Sequence, residues 1–212
     1  MNDVLASYAA AATPEMIAGY DALPPERIYA SVRDFLPGDP ARIAEIGAGT
    51  GRDAAWFAAQ GHRVLAVEPV RELREAGMKL HGNDIEWLDD RLPELAGLDA
   101  YAPFDLIVLC AVWHHLDTAE RARAMPVLAS ASAPGGRLVL SLRHGPGRHA
   151  LPTPPEETIA LAAAAGFALT HRAEAEAVHA ESRAEGVHWT WLVLTRGLGP
   201  GEGHAGEIEH RG

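Results

Sequence analysis

The chain has 212 residues, 48% of them hydrophobic, which supplies one substantial core and leaves two independent domains cramped. Its formal net charge of -11 opposes a phosphate backbone, and no stretch gathers Lys and Arg into a basic stripe, so a small molecule rather than nucleic acid is the expected partner. The single cysteine, Cys110, excludes an internal disulfide framework, and no apolar run reaches the length of a signal core or a membrane span, so the expectation is a soluble cytoplasmic protein without a membrane partner.

Residues 1–38 form an Ala-rich, helix-prone lead-in, broken at Leu23-Pro24-Pro25 and closed by Pro37-Gly38. It is expected to act as a lid or brace, with Tyr8 and Tyr20 as candidates to touch a substrate. Across residues 39–196, apolar runs alternate with helical patterns: Arg42–Ile46 then Asp53–Gln60, Val64–Val67 then Arg71–Leu80, Ile85–Leu88, Asp105–Leu109 then Ala119–Ser130, and Arg137–Leu142 then Pro155–Ala165. Such alternation predicts an α/β fold of three layers, doubly wound, with a parallel sheet covered on both faces. Phe167–Thr170 and Val187–Thr195 add two strands, for seven in all. The charged stretch Glu174–Glu185 offers no convincing helix between them, so a hairpin with an antiparallel strand at the sheet's end is expected. Residues 197–212 are Gly-rich and charged with almost nothing apolar, and a disordered tail is expected there.

The strongest signal is Ile43-Ala44-Glu45-Ile46-Gly47-Ala48-Gly49-Thr50-Gly51, an apolar strand running into three alternating glycines and then a helix. Glycines there let the backbone turn sharply and approach a nucleotide-like ligand closely. In a dinucleotide fingerprint the third glycine would stand where Arg52 does; here it comes one residue early, which argues against NAD or FAD. About twenty residues on, Val67-Glu68-Pro69 ends the second strand with a carboxylate able to accept both hydroxyls of a ribose.

With these motifs the sequence resembles the class I S-adenosylmethionine-dependent methyltransferases, over roughly Arg42 to Arg143. Glu45 to Gly51 resembles their first motif and Val67-Glu68-Pro69 their acidic second. Trp87-Leu88-Asp89-Asp90-Arg91-Leu92-Pro93 resembles the third, Phe104 to Leu116 the fourth, and Pro134-Gly135-Gly136-Arg137-Leu138 the turn into the fifth strand. The resemblance implies S-adenosylmethionine as cofactor, with Gly47, Ala48, Gly49 and Gly51 around its methionine part and sugar. It further implies Glu68 on the ribose, Pro69 against the adenine, Asp90 in preference to Asp89 on the adenine amino group, and Cys110 and Ala111 lining the methyl-donor channel.

His114 and His115 stand where the fourth strand gives way to a loop, the end at which open parallel sheets place ligands. One of them can serve as base or orient a substrate, and His115 matches a histidine of many relatives; equally, one can simply brace nearby backbone. Arg143 and His144 follow the fifth strand at the same rim, where Arg143 could grip a carboxylate, or the loop could be no more than solvated basic surface. Trp56 and Trp87 read as packing residues, and Trp113 is the tryptophan expected at the substrate mouth. The eleven histidines lack zinc-type spacing, and no metal site is expected. The leading function is methyl transfer to an oxygen or nitrogen of a small molecule, anionic ones included. A cofactor-binding partner or regulator without catalysis is the alternative, and a nucleotide-dependent oxidoreductase is opposed by the glycine spacing.

Overall fold

The computed structural model describes residues 2–198. Three short helices open the chain, α1 (Asn2–Ala11), α2 (Pro14–Asp21) and α3 (Pro25–Ile28), followed by a 3-10 turn at Ala30–Phe35. Then come β1 (Arg42–Ile46), α4 (Arg52–Ala58), β2 (Arg63–Val67), α5 (Arg71–His81), β3 (Ile85–Leu88), β4 (Phe104–Leu109), α6 (Thr118–Ala131), β5 (Ser132–His144), α7 (Pro155–Ala164), β6 (Phe167–Glu176), α8 (Ala180–Ala184) and β7 (His188–Arg196). The seven strands form one sheet in the order β3-β2-β1-β4-β5-β7-β6. Strands β1 to β5 run parallel; β7 is antiparallel to both of its neighbours, β5 and β6. The winding direction reverses between β1 and β4, and the crevice outside the carboxyl ends of such strands is where open α/β sheets bind ligands.

The central strands are apolar nearly throughout because both faces are covered: in β1 and β2 every residue after the first is buried. One core joins the sheet to α4 and the Ala30–Phe35 turn through Phe57, Tyr29 and Val32; the other joins it to α6 and α7 through Met125, Leu128 and Ala162. Helix α6 starts at a reciprocal cap, in which the Asp117 carboxylate accepts from the Glu120 N–H at 2.7 Å and Glu120 accepts from the Asp117 N–H at 3.0 Å. That cap ends the turn carrying His114 and His115 and so fixes how far the rim after β4 extends.

The seven-stranded sheet, mostly parallel with an antiparallel strand near the C-terminal end, is as expected; that strand, β7, lies between β5 and β6 and leaves β6 on the edge. Other expectations are corrected. Strand β6 runs on to Glu176, and the charged stretch after it does hold a short helix, α8. Alternating burial along the far half of β6 explains the charges, since Glu174 and Glu176 lie along an edge strand whose other residues are half-buried. Of the expected tail, Gly197 still bonds to the Gly166 carbonyl at 3.0 Å, and everything beyond Leu198 lies outside the described residues. No helix among the described residues is long and apolar enough to cross a membrane.

Gly77, inside α5, shows how tightly that helix is seated. A Cβ there would come within 2.5 Å of the Thr50 carbonyl oxygen and closer still to the Trp87 ring. Helix propensity alone favours Ala over Gly by about 1 kcal/mol, but the clash is with backbone and an aromatic ring, and overpacking of this kind costs roughly 1–3 kcal/mol. Gly77→Ala is therefore expected to lower stability in urea unfolding despite its helical position; a stabilised variant would mean that α5 can slide away from the loop below it.

Candidate active site

A cavity of about 520 Å³ opens at the carboxyl ends of the parallel strands, within the roughly 300–1,000 Å³ usual for small-molecule sites. Its floor is the loop after β1. Gly47 and Gly51 both have φ of +75°, and a Cβ on either would collide, with Val112 at 2.5 Å and with Trp87 at 2.6 Å; Gly49 at φ +58° faces open space instead. The N–H of Gly49 donates to Glu68 Oε2 at 2.7 Å, while that of Val70 donates to Glu68 Oε1 at 2.7 Å. Glu68, 4% exposed, thus ties the glycine loop to the exit of β2 and still borders the cavity with unused lone pairs. Burial raises its pKa, opposed by these two N–H bonds. Ala48, Pro69 and Asp90 also border the cavity. Asp90 accepts the N–H groups of Arg91 and Gly97, each at 2.7 Å, whereas Asp89 turns outward to Arg74 at 2.7 Å.

The same cavity collects Cys110 and Ala111 from the exit of β4, His115 from the following 3-10 turn, Arg143 from the end of β5, and Tyr8 and Tyr20 from α1 and α2. Ala111 holds a left-handed φ of 59°, its N–H donating to Ser141 Oγ at 2.8 Å. His115 is clasped from two sides, Nε2 lying 3.0 Å from the Tyr8 hydroxyl and Nδ1 3.2 Å from the His149 carbonyl oxygen. Burial lowers its pKa, partly offset by the His149 bond, and burial foremost pushes the Tyr8 phenol up to about 12. Burial also raises the Cys110 thiol, which keeps it a neutral wall of the cavity rather than a nucleophile. Arg143 donates to the Gly145 carbonyl at 3.2 Å and forms no ion pair among the described residues.

Three expected site residues point elsewhere. Trp113 is fully buried in the core under α7, its indole N–H donating to Thr158 Oγ1 at 3.0 Å. His114 does not border the cavity: successive residues on a 3-10 turn diverge by about 120°, and its ring packs behind His115 and against Trp189, with centroids 4.1 and 5.9 Å away. Burial first, then the neighbouring His115, lowers its pKa to about 3. His144 alternates to the other face of β5 from Arg143, bonds to Thr190 Oγ1 at 2.8 Å and stacks on His188. The tryptophans that do border the cavity are Trp189 and Trp191 of β7. Their spacing of two puts them on one face of a strand, a cue already present in the sequence.

Residues 20–198 match a family model described as a methyltransferase domain. The chain belongs to the methyltransferase-domain family. The fold is similar to that of 1,6-didemethyltoxoflavin-N1-methyltransferase from Burkholderia thailandensis, solved with 1,6-didemethyltoxoflavin and S-adenosylhomocysteine, at a TM-score of 0.69 and 23% identity over 92% of this chain and 86% of that one. It is similar also to magnesium protoporphyrin IX methyltransferase from Synechocystis PCC 6803, solved with S-adenosylmethionine, at a TM-score of 0.62 and 16% identity over 86% and 78% of the two chains. An uncharacterized methyltransferase of Mycobacterium tuberculosis is 29% identical over 130 residues, 58% of this chain and 46% of the other. The chain thus aligns with about half the length of the first curated relatives it matches.

Beneath the glycine loop lies a charged cluster absent from the sequence-based site. Asp53, 1% exposed, accepts from the Tyr29 hydroxyl at 2.8 Å and pairs with Arg52 at 2.6 Å, while Arg52 reaches the Tyr20 carbonyl at 3.0 Å. Glu45 borders the cavity beside them, 3% exposed, and its Oε2 has no hydrogen-bond partner. The one acid in the apolar run Arg42–Ile46 was the cue to it. Burial first and then the Asp53 charge raise the Glu45 pKa well above 4.5, with Arg52 acting in the opposite direction. A carboxyl raised in the folded state contributes stability that is full below its unfolded value and is lost as pH rises through the folded one. Urea unfolding of the protein between pH 5 and 9 is therefore expected to show stability falling with rising pH, and Glu45→Gln to flatten that slope and be the more stable protein at the alkaline end; parallel curves for the two proteins would assign the slope to other groups.

Proposed function

We infer that this chain transfers a methyl group from S-adenosylmethionine to an oxygen or nitrogen of a small anionic molecule. The observation that carries the inference is one cavity lined both by the glycine loop with the buried Glu68 and by His115, Arg143 and Trp189. The residues fit the cofactor. Unfilled space over Gly49 suits a ligand approaching the backbone closely, and the Glu68 oxygens, already bonded to two N–H groups, can each accept a ribose hydroxyl. Gly47, Ala48 and Gly51 would shape the floor, Pro69 and Asp90 would take the adenine, and Cys110 and Ala111 would line the methyl-donor channel.

When bound, S-adenosylmethionine supplies a methyl group on a sulfonium, a reaction in which alignment of the acceptor accounts for much of the acceleration. Arg143, with no carboxylate of its own, would hold an anionic group of the acceptor, and Trp189 would support its flat face. His115, neutral and at the cavity edge, is the candidate base; Tyr8 and Tyr20 close the cavity over the acceptor.

Calorimetry and thermal unfolding with S-adenosylmethionine and S-adenosylhomocysteine test cofactor binding. Both compounds are expected to bind and raise the Tm, and Glu68→Ala to weaken binding by roughly 1–3 kcal/mol, or about 5- to 150-fold. No binding at high micromolar concentration would overturn the inference. Incubation with methyl-labelled S-adenosylmethionine and a cell extract is expected to label a small molecule bearing a negative charge. With that acceptor, Arg143→Ala is expected chiefly to raise KM at unchanged cofactor affinity; an unaltered KM would remove Arg143 from the acceptor site.

A further inference from the structure

The N-terminal helix α1 contributes to the cavity a hydroxyl joined to the His115 imidazole. Tyr8 Oη is 3.0 Å from His115 Nε2, the rings meet edge-on at 5.6 Å, and both side chains border the cavity. The other ring nitrogen fixes the direction of this bond. Nδ1 lies 3.2 Å from the His149 carbonyl oxygen, which can only accept, so Nδ1 carries the proton and Nε2 presents its lone pair to the Tyr8 O–H. His149 delivers that carbonyl from a left-handed φ of 58°, and the loop bearing it is pinned by the Leu151 N–H to the His114 carbonyl at 2.8 Å. Strain of this kind in a residue with a side chain persists where surrounding structure enforces it.

The lone pair of His115 is thus not free to meet an acceptor; Tyr8 stands on it. We propose that Tyr8 and His115 act as a proton-relay pair, in which the acceptor's O–H or N–H meets the Tyr8 oxygen and Tyr8 passes its own proton to His115 Nε2. This rests on the methyl-transfer reading above and adds a residue to it. The acceptor's O–H or N–H bond breaks and its proton joins Tyr8 Oη as the former phenol proton bonds to Nε2. The electron pair left on the acceptor forms the bond to the methyl carbon, and sulfur keeps the pair of the bond that breaks. The resulting imidazolium keeps its Nδ1–H on the His149 carbonyl. A phenol that holds its proton at neutral pH, beside an imidazole that stays unprotonated, is the resting state such a relay needs.

Nitrogen-15 spectra of imidazole-labelled full-length protein, with and without S-adenosylhomocysteine, decide the pairing without any acceptor. His115, assigned from the spectrum of His115→Ala, is expected to be protonated on Nδ1 with a hydrogen-bonded Nε2, and Tyr8→Phe to move Nε2 towards the free lone-pair position while leaving Nδ1–H. An unmoved Nε2, or a proton on Nε2, overturns the proposal. With the acceptor found by labelling, single-turnover methyl transfer in Tyr8→Phe is expected to slow by about 100-fold or more at unchanged S-adenosylhomocysteine affinity. A near-normal rate overturns the relay, and a faster rate shows Tyr8 to be a plug on His115. Should Tyr8→Phe unfold, 3-fluorotyrosine at position 8 preserves the shape and acidifies the phenol, and a rate that ignores the change counts equally against the relay. If wild-type protein binds neither S-adenosylmethionine nor S-adenosylhomocysteine, the methyl-transfer reading falls, and the relay proposed for it falls too even where the imidazole spectrum upholds the hydrogen-bonded pair.

Discussion

The site depends on one carboxylate, Glu68, and on the two backbone N–H groups that it holds. Gly49 donates from the loop after β1 and Val70 from the start of the segment leading into α5, so a single side chain fixes two chain segments nineteen and two residues away from it. The positive φ values at Gly47, Gly49 and Gly51 give a loop with much conformational freedom to lose, and the Glu68 bond joins those that the Gly47 and Ala48 N–H groups make to the Val67 carbonyl in holding it. The tether costs something: burial opposes the charge of Glu68, and the two N–H bonds, then the Arg74 charge, recover part of that penalty. A group so placed can both shape the loop and remain an acceptor at the cavity.

Much of this was legible in the sequence, for a physical reason. Central parallel strands buried on both faces must be apolar runs, so β1, β2 and β4 stand out, and the glycine loop and Glu68 announce themselves because their backbone geometry and position leave few other residue types admissible. The rim was less legible. Whether His114 or His115 faces the cavity depends on the phase of a three-residue 3-10 turn, and whether Arg143 or His144 does depends on which face of the sheet the cavity borders at the end of β5. Trp113 was misplaced because a tryptophan beside two histidines resembles a binding surface, whereas its hydrogen bond to Thr158, 45 residues away, is visible only in three dimensions. The insertion of β7 inside the sheet was hidden for the same reason: adjacency of strands is a tertiary property that a hairpin-like spacing does not encode.

The charges around the cavity are distributed unequally. Glu45, Asp53 and Glu68 gather at or beneath the glycine loop, with Arg52 as their nearby cation, while Arg143 forms no ion pair among the described residues. In the proposed reaction the sulfonium loses its positive charge as the methyl group passes, and a positive charge appears on His115 as it takes the acceptor's proton through Tyr8. The transfer would thus move a charge within the cavity rather than create one. In a cavity lined by Trp189, Trp191, Cys110 and Ala111, fixed charges act more strongly than they do in water, so Glu68 and Arg143 would draw the two reactants of the proposed reaction together across apolar walls. On that reading the N-terminal helices, which stand apart from the sheet in sequence and line the cavity through Tyr8 and Tyr20, belong to the electrostatic environment of the proposed transfer.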